Sequence, residues 1–339
     1  MLYKKHHSFC VLLLMCSVIY GCNSNPKEES LARFFGDRTN ITSYSEASEP
    51  SATIHFTKES SFGNLGKVFF KSISNIALDE YGRVYIENNA TIYQYDNNGN
   101  YIRSIGRKGR GPGEFQVIHN YKIRNNKLYV YDANLLRISV FNLNTLELEK
   151  EIGIPATKGL TGLGEFAVKK DGSLILGLNE SKKKASSSIT EKYMHYYFMD
   201  STGEINKSEF ITTKLADYFE VKNGNGTSYP PIPFDRTTLF SMSGSDRIYF
   251  IWTGEIAIKV FNSNGSFLRG FHYPFKNAEI NGDSDYPKVY ELLNIISDTK
   301  RVLGKRIPDT HPAIAHFFID DEERIWLSTI VSNKNIYEW

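Results

Sequence analysis

The sequence predicts an all-β fold, a β-propeller of four-stranded blades interrupted by one short helical insertion. Three observations lead there. A strand–turn–strand pattern recurs along the chain. Each copy carries its own turns and its own apolar alternation. Aromatic residues are abundant, with 22 Phe, 21 Tyr and 3 Trp. Units of this kind cannot bury their faces alone, whereas radial stacking buries all of them and leaves only short edges. Half-buried strand surfaces favour aromatic filler, so most of the rings are expected between blades and not on a sugar-binding platform.

The clearest copy runs Ile76-Ala77-Leu78-Asp79, turns at Glu80 to Arg83, and rises through Val84-Tyr85-Ile86. It continues as Ile92 to Asp96, turns at Asn97-Asn98-Gly99-Asn100, and returns as Tyr101 to Gly106. An Asn-Gly pair between alternating runs is a hairpin signal, because tight hairpin turns need positive φ. Further copies enter their second strand at Lys127, Ser173, Arg247 and Arg324, against Arg83 in the first. Those points are 44, 46, 74 and 77 residues apart. The two short gaps match a blade of roughly 40–50 residues. The two long ones predict insertions over 210–238, rich in Gly, Asn and Pro, and over 275–313. In the second, Val289, Leu292, Leu293 and Ile296 fall at i, i+3, i+4 and i+7, which predicts one amphipathic helix. A polar stretch from Lys182 to Lys192 reads as a loop within the third blade.

The N-terminus predicts export. Lys4 and Lys5 precede an apolar run from Phe9 to Tyr20, then Gly21 and Cys22. A charged start, a short apolar core and a small residue at the cut site mark a signal peptide over 1–21. The run is shorter than the roughly 20 apolar residues of a membrane span, and no later stretch is long enough. Residues 22–51 read as a flexible tether and 52–339 as the propeller. Cys10 and Cys16 leave with the leader, so a mature chain holding only Cys22 excludes cysteine catalysis, a cysteine zinc site and iron–sulfur clusters. The leader also removes two of 40 basic residues and no acid, which equals the 38 acidic ones. That balance lacks the basic excess of a nucleic-acid binder.

Two resemblances add to this reading. Ile19-Tyr20-Gly21-Cys22 resembles the lipobox of bacterial lipoproteins, with Tyr20 bulkier than usual. It implies a lipid on Cys22 and an outer-membrane anchor facing the periplasm or the cell surface. Several acyl chains hold a protein firmly where one does not. Lys27-Glu28-Glu29 is similar to export tags of surface lipoproteins, and a solvated linker explains it equally well. Ile105-Gly106-Arg107-Lys108-Gly109-Arg110-Gly111-Pro112-Gly113-Glu114-Phe115 resembles the signature of six-bladed β-propeller lipoproteins, relatives of NHL-repeat propellers. The stretch Gly159 to Phe166 looks like a degenerate second copy. The resemblance covers the chain from about Ile73 and implies six blades and a surface lipoprotein of largely unassigned role.

By residue chemistry the loop 105–115 is a blade-to-blade corner. Gly106, Gly109, Gly111 and Gly113 with Pro112 make a chain reversal with several positive-φ positions. Glu114 and Phe115 open the next blade, with Phe115 wedged between blades. A phosphate-binding loop needs a helix directly after it, and Gln116-Val117-Ile118-His119 reads as a strand. Ile336 to Trp339 aligns with Ile92 to Tyr95, so the last blade is expected to be incomplete and the ring abbreviated at its closure. Thr53 to Phe56 and Lys67 to Phe70 are candidate closing strands.

The residues point to no cofactor, with calcium and zinc left open. Lactonase-like propellers use Glu, Asp and Asn around calcium, and amidating-lyase-like ones use His around zinc. The mature chain has His55, His119, His195, His272, His311 and His316, none in metal-ligand spacing. His119 and His272 each read as following a repeat-ending strand and facing one end of the ring. Asp79, Asp171, Asp246, Asp320 and Asp321 recur near one turn, where backbone capping explains them better than a calcium ring. Two functions stay open. One is a binding module offering a glycan, peptide or envelope protein a loop face. The other is a metal-dependent hydrolase or lyase working in the channel.

Overall fold

A computed structural model describes residues 26–45, 57–58, 60–62, 70, 73, 75–155, 159–180, 189–223, 226–292 and 294–330. The chain divides into two compact units, Met1–Gly36 and Asp37–Trp339. In the first, α1 spans Pro26–Phe35. Proline suits the first helical position, and Arg33 in the last turn suits the helix dipole.

The second unit opens with β1 (Ile41–Ser43), and blade-like sheets come after it. The first holds β2 (Ile76–Leu78), β3 (Val84–Asn88), β4 (Thr91–Tyr95) and β5 (Tyr101–Ile105). Next come β6 (Ile118–Arg124), β7 (Lys127–Asp132), β8 (Arg137–Asn142) and β9 (Leu148–Gly153). The third holds β10 (Leu160–Val168), β11 (Leu174–Glu180), β12 (Ile189–Met199) and β13 (Ile211–Phe219). A hairpin, β14 (Val221–Asn223) and β15 (Gly226–Ser228), precedes the fourth sheet of β16 (Thr238–Met242), β17 (Ile248–Trp252), β18 (Ile256–Phe261) and β19 (Phe267–Tyr273). Then come α2 (Lys288–Leu292), α3 (Ile296–Leu303) and a fifth pair, β20 (Ile314–Ile319) and β21 (Ile325–Thr329). Within each blade, successive strands pair antiparallel.

Short polar caps set this repeat. The third strands of four blades end at Asp96, Asn142, Asp200 and Asn262, whose side-chain oxygens accept backbone N–H groups two residues on or four on. That is the Asx turn. At the first hairpin, Asp79 Oδ2 accepts from Arg83 Nε at 2.5 Å and Tyr85 OH at 2.9 Å. Asp320 repeats the arrangement with Arg324 Nε at 2.6 Å and Trp326 Nε1 at 2.8 Å.

The core lies between blades. Tyr85, Ile92, Phe115, Tyr121, Leu128 and Phe141 join the first to the second. Tyr131, Ile138, Phe166 and Leu176 join the second to the third. Between the third and fourth, Tyr196 packs on Phe240 and Phe250 with ring centroids 5.0 and 4.9 Å apart.

Several expectations need correction. The tether does not stay flexible throughout, because β1 pairs in parallel with β19 and caps the outer edge of the fourth blade. An open edge gains hydrogen bonds from any strand that covers it. The stretch 210–238 opens with β13, the outer strand of the third blade, and only the residues beyond Phe219 form an insertion. Residues 189–192 belong to β12 and not to a loop. The helix near 289–296 is two helices, with Asn294 at φ 52° between them. The two insertions also share one core, built from Phe219, Ile232, Phe234, Tyr286, Tyr290 and Leu303. Cys22, the candidate closing strands over 53–56 and 67–69, and residues 336–339 lie outside the described residues.

Candidate functional site

The innermost strands of the second, third and fourth blades, β6, β10 and β16, enclose a cavity of about 170 Å³. In β6 a register shift between Ile118 and Asn120 resets the alternation. Ile118, Tyr121 and Ile123 therefore all join the core shared with the first blade. Asn120, Lys122 and Arg124 line the cavity. Two further shifts in β10, on either side of Leu163, send Leu163, Phe166 and Val168 into the core and leave Glu165 and Ala167 lining the cleft.

Glu165 is held from behind. The fully buried Tyr196 on β12 donates its hydroxyl to Glu165 Oε1. Gly177 permits this approach, since a Cβ there would lie 3.0 Å from the Tyr196 ring and 3.1 Å from Glu165 Cγ. Burial pushes the Glu165 carboxyl up to about 7, while the Tyr196 hydrogen bond and the Lys122 ammonium pull the other way. Lys122 stays open to the channel yet is ringed by protein. That enclosure lowers its ammonium and Glu165 opposes the shift.

One end of the cleft is clamped. Arg124 reaches from the second blade to donate to Gly244 O and Asp246 Oδ1, both at 2.7 Å. The Lys170 N–H, from the third blade, meets the same carboxylate at 3.0 and 3.1 Å. Asp246 thus ties three blades together. The lining also offers the Ser241 hydroxyl and the Phe240 ring.

A model of the family described as 6-bladed beta-propeller matches residues 66–261, more than half of the sequence. The chain belongs to this family. No curated protein matches the propeller. Among solved structures it is similar to a candidate exported protein of Bacteroides fragilis, at 16% identity and a TM-score of 0.44. That match covers 76% of this chain and 65% of the other, under two thirds of its length. It is also similar to Kluyveromyces lactis Hsv2, at 6% identity and 0.37, covering 76% and 71%. A gluconolactonase of Xanthomonas campestris matches at 11% identity and 0.37, covering 76% and 69%.

Apart from Asp246 at the clamped end of the cleft, the residues singled out from sequence fall elsewhere in the propeller. In the loop 105–115, Gly106 and Gly113 have positive φ, of 71° and 70°; Gly109 and Gly111 do not. Those two make room for Glu114 instead, whose Oε2 would lie 2.0 Å from a Cβ at Gly109. Glu114 accepts from the Gly111 N–H at 2.9 Å and Arg107 Nε at 2.8 Å. Pro112 sits in the same turn, closed by the Glu114 N–H on Gly111 O at 3.1 Å. Phe115 is fully buried between the first two blades. From Leu160 the supposed second copy at 159–166 is bulged strand β10 and not a loop.

His119 follows the repeat-ending β5 and opens the next blade within β6, whereas His272 lies inside the repeat-ending β19 rather than after it. His119 Nε2 is 3.1 Å from Gly164 O, and His272 Nε2 is 2.6 Å from Glu255 Oε2. The aspartates do recur in the equivalent hairpin turn of their blades, though at different positions within it. Asp79 and Asp320 open the turn, Asp171 and Asp246 come later, and each has its own partners. Among the described residues no three His, Cys, Asp or Glu side chains converge. What sequence reasoning missed is Lys122, Glu165 and Tyr196. One signal was available: Asn120, Lys122 and Arg124 give the strand opening the second blade a polar face.

Proposed function

We propose that this propeller is a binding module of the cell envelope, held to the outer membrane by lipid on Cys22, with its ligand seated in the channel cleft. The observation that carries this reading is the cleft itself. It pairs a lysine ammonium with an enclosed carboxyl across a small cleft, an arrangement suited to holding a polar group. The cleft's size suits a small molecule, or the end of a glycan, a peptide or an envelope protein's side chain. The extracytoplasmic location rests on the leader and lipobox read from sequence.

Cys22→Ser tests the anchor. The variant is expected in the soluble fraction without fatty-acid label, and a variant that remained membrane-bound and labelled would refute the lipid. Elemental analysis of the wild-type protein, purified without added metal, tests the binding role. No stoichiometric calcium or zinc is expected. About one ion per chain, lost on chelation together with a hydrolytic activity, would favour a metal-dependent hydrolase or lyase instead.

A further inference from the structure

We infer that the channel cleft takes a small hydroxylated carboxylic acid, with its carboxylate against Lys122 and Asn120 and a hydroxyl against Glu165. This rests on the reading of the cleft as the ligand site and adds the ligand's chemical class.

The donors come first. Among the described residues Lys122 makes no hydrogen bond and no carboxylate comes within 4.0 Å of its ammonium. Its charge interaction is with the Glu165 carboxyl across the cleft, which makes no direct contact, so an anion seated between them would give the ammonium the hydrogen-bonded partner it lacks. Asn120 stands two residues away on the same face of β6. Its Oδ1 is occupied, accepting from Asn75 Nδ2 at 2.9 Å, and Asn75 is steadied by the Tyr121 carbonyl at 3.3 Å. The Asn120 amide is thereby turned so that its NH₂ group is left to donate. Arg124 Nε, farther along the face, is buried without a partner.

The acceptor lies across the cleft. Glu165 Oε1 is taken by Tyr196, whereas Oε2 has no donor among the described residues and is not buried. A carboxyl enclosed this way accepts from a hydroxyl, and its raised proton affinity lessens repulsion of a bound anion. The cavity of about 170 Å³ limits the ligand to about one ring. A hydroxyl-bearing acid of that size satisfies the ammonium, the amide and the carboxyl together. A neutral sugar leaves the ammonium unpaired.

The test is titration calorimetry on the full chain in detergent, with D-glucuronate and D-galacturonate as probes and D-glucose and inorganic phosphate as controls. Saturable binding of at least one uronate is expected, with both controls weaker. Lys122→Met is expected to weaken it roughly ten- to a hundredfold, the loss of a hydrogen-bonded charge. Lys122→Arg should retain most of the affinity. Unchanged melting of both variants would assign the loss to the contact and not to the fold. Uronate binding that survives Lys122→Met overturns the inference, as does tighter binding of glucose or phosphate, or no uronate binding at all. The last result would leave the cleft's role intact wherever another ligand bound there and was excluded by filling the cleft.

Discussion

Phe115→Ala is expected to destabilise the propeller by about 3–5 kcal/mol, as large-to-small changes at buried aromatic sites do. That corresponds to a fall in melting temperature of roughly 5–8 °C for a domain of this size. Phe115 is fully buried. Its ring lies 6.0 Å from that of Phe141 and shares a core with Tyr85, Ile105 and Tyr121. It also sets the corner between two blades. Phe115 N donates to Arg107 O at 2.8 Å, and its carbonyl accepts from the Gly109 N–H at 3.0 Å. A Cβ at Gly106 would come within 2.3 Å of the ring, so loop and ring are fitted to each other. Val117 is the control: two residues on and 45% exposed, its change to Ala should cost no more than about 0.5 kcal/mol. Thermal melts followed by circular dichroism compare the two. Equal melting of both variants would show that the corner does not join the blades.

Glu165→Gln is expected to alter how stability depends on pH. Burial raises the folded carboxyl to about 7 from an ordinary value of 4.5. Between those values the folded protein keeps a proton that the unfolded chain has lost. Stability attributable to this group therefore falls as pH rises through that window and levels off above about 7. Glutamine keeps the shape and the acceptor for Tyr196 but cannot ionise. Its stability relative to wild type should improve by about 1–3 kcal/mol between about pH 5 and pH 8. Urea unfolding at the two pH values measures the difference. A gap that does not change with pH would mean that Glu165 is solvated like a surface carboxylate.

Much of the fold was legible because each blade announces itself locally. Asp96, Asp200 and Asn262 at strand ends, with Gly99, Gly203 and Gly265 after them, define the hairpins without any distant contact. In the second blade Leu146 takes the positive φ, 62°, where the other turns use glycine, and the turn is one residue longer. The site was largely illegible, because it depends on register. Lys122 and Glu165 come from different blades, and bulges in β6 and β10 decide which face each presents. A one-residue slip would exchange their faces. The same limit hid the cross-blade role of Asp246. Its place in a polar turn suggests capping, yet its carboxylate serves Arg124 and Lys170 from two other blades. Nor did either insertion's sequence show that the two would bury one shared core.

The most direct measurement fills the cleft. Ser241 lines it from β16, and Ser241→Trp adds bulk comparable to the cavity. Wild-type and variant protein would each be incubated with the small-molecule fraction of the native cell envelope and examined by native mass spectrometry. A binding module with its ligand in the channel predicts a one-to-one adduct on wild type that is missing from an equally folded Ser241→Trp. The same adduct on both would place the ligand elsewhere on the propeller and contradict the account.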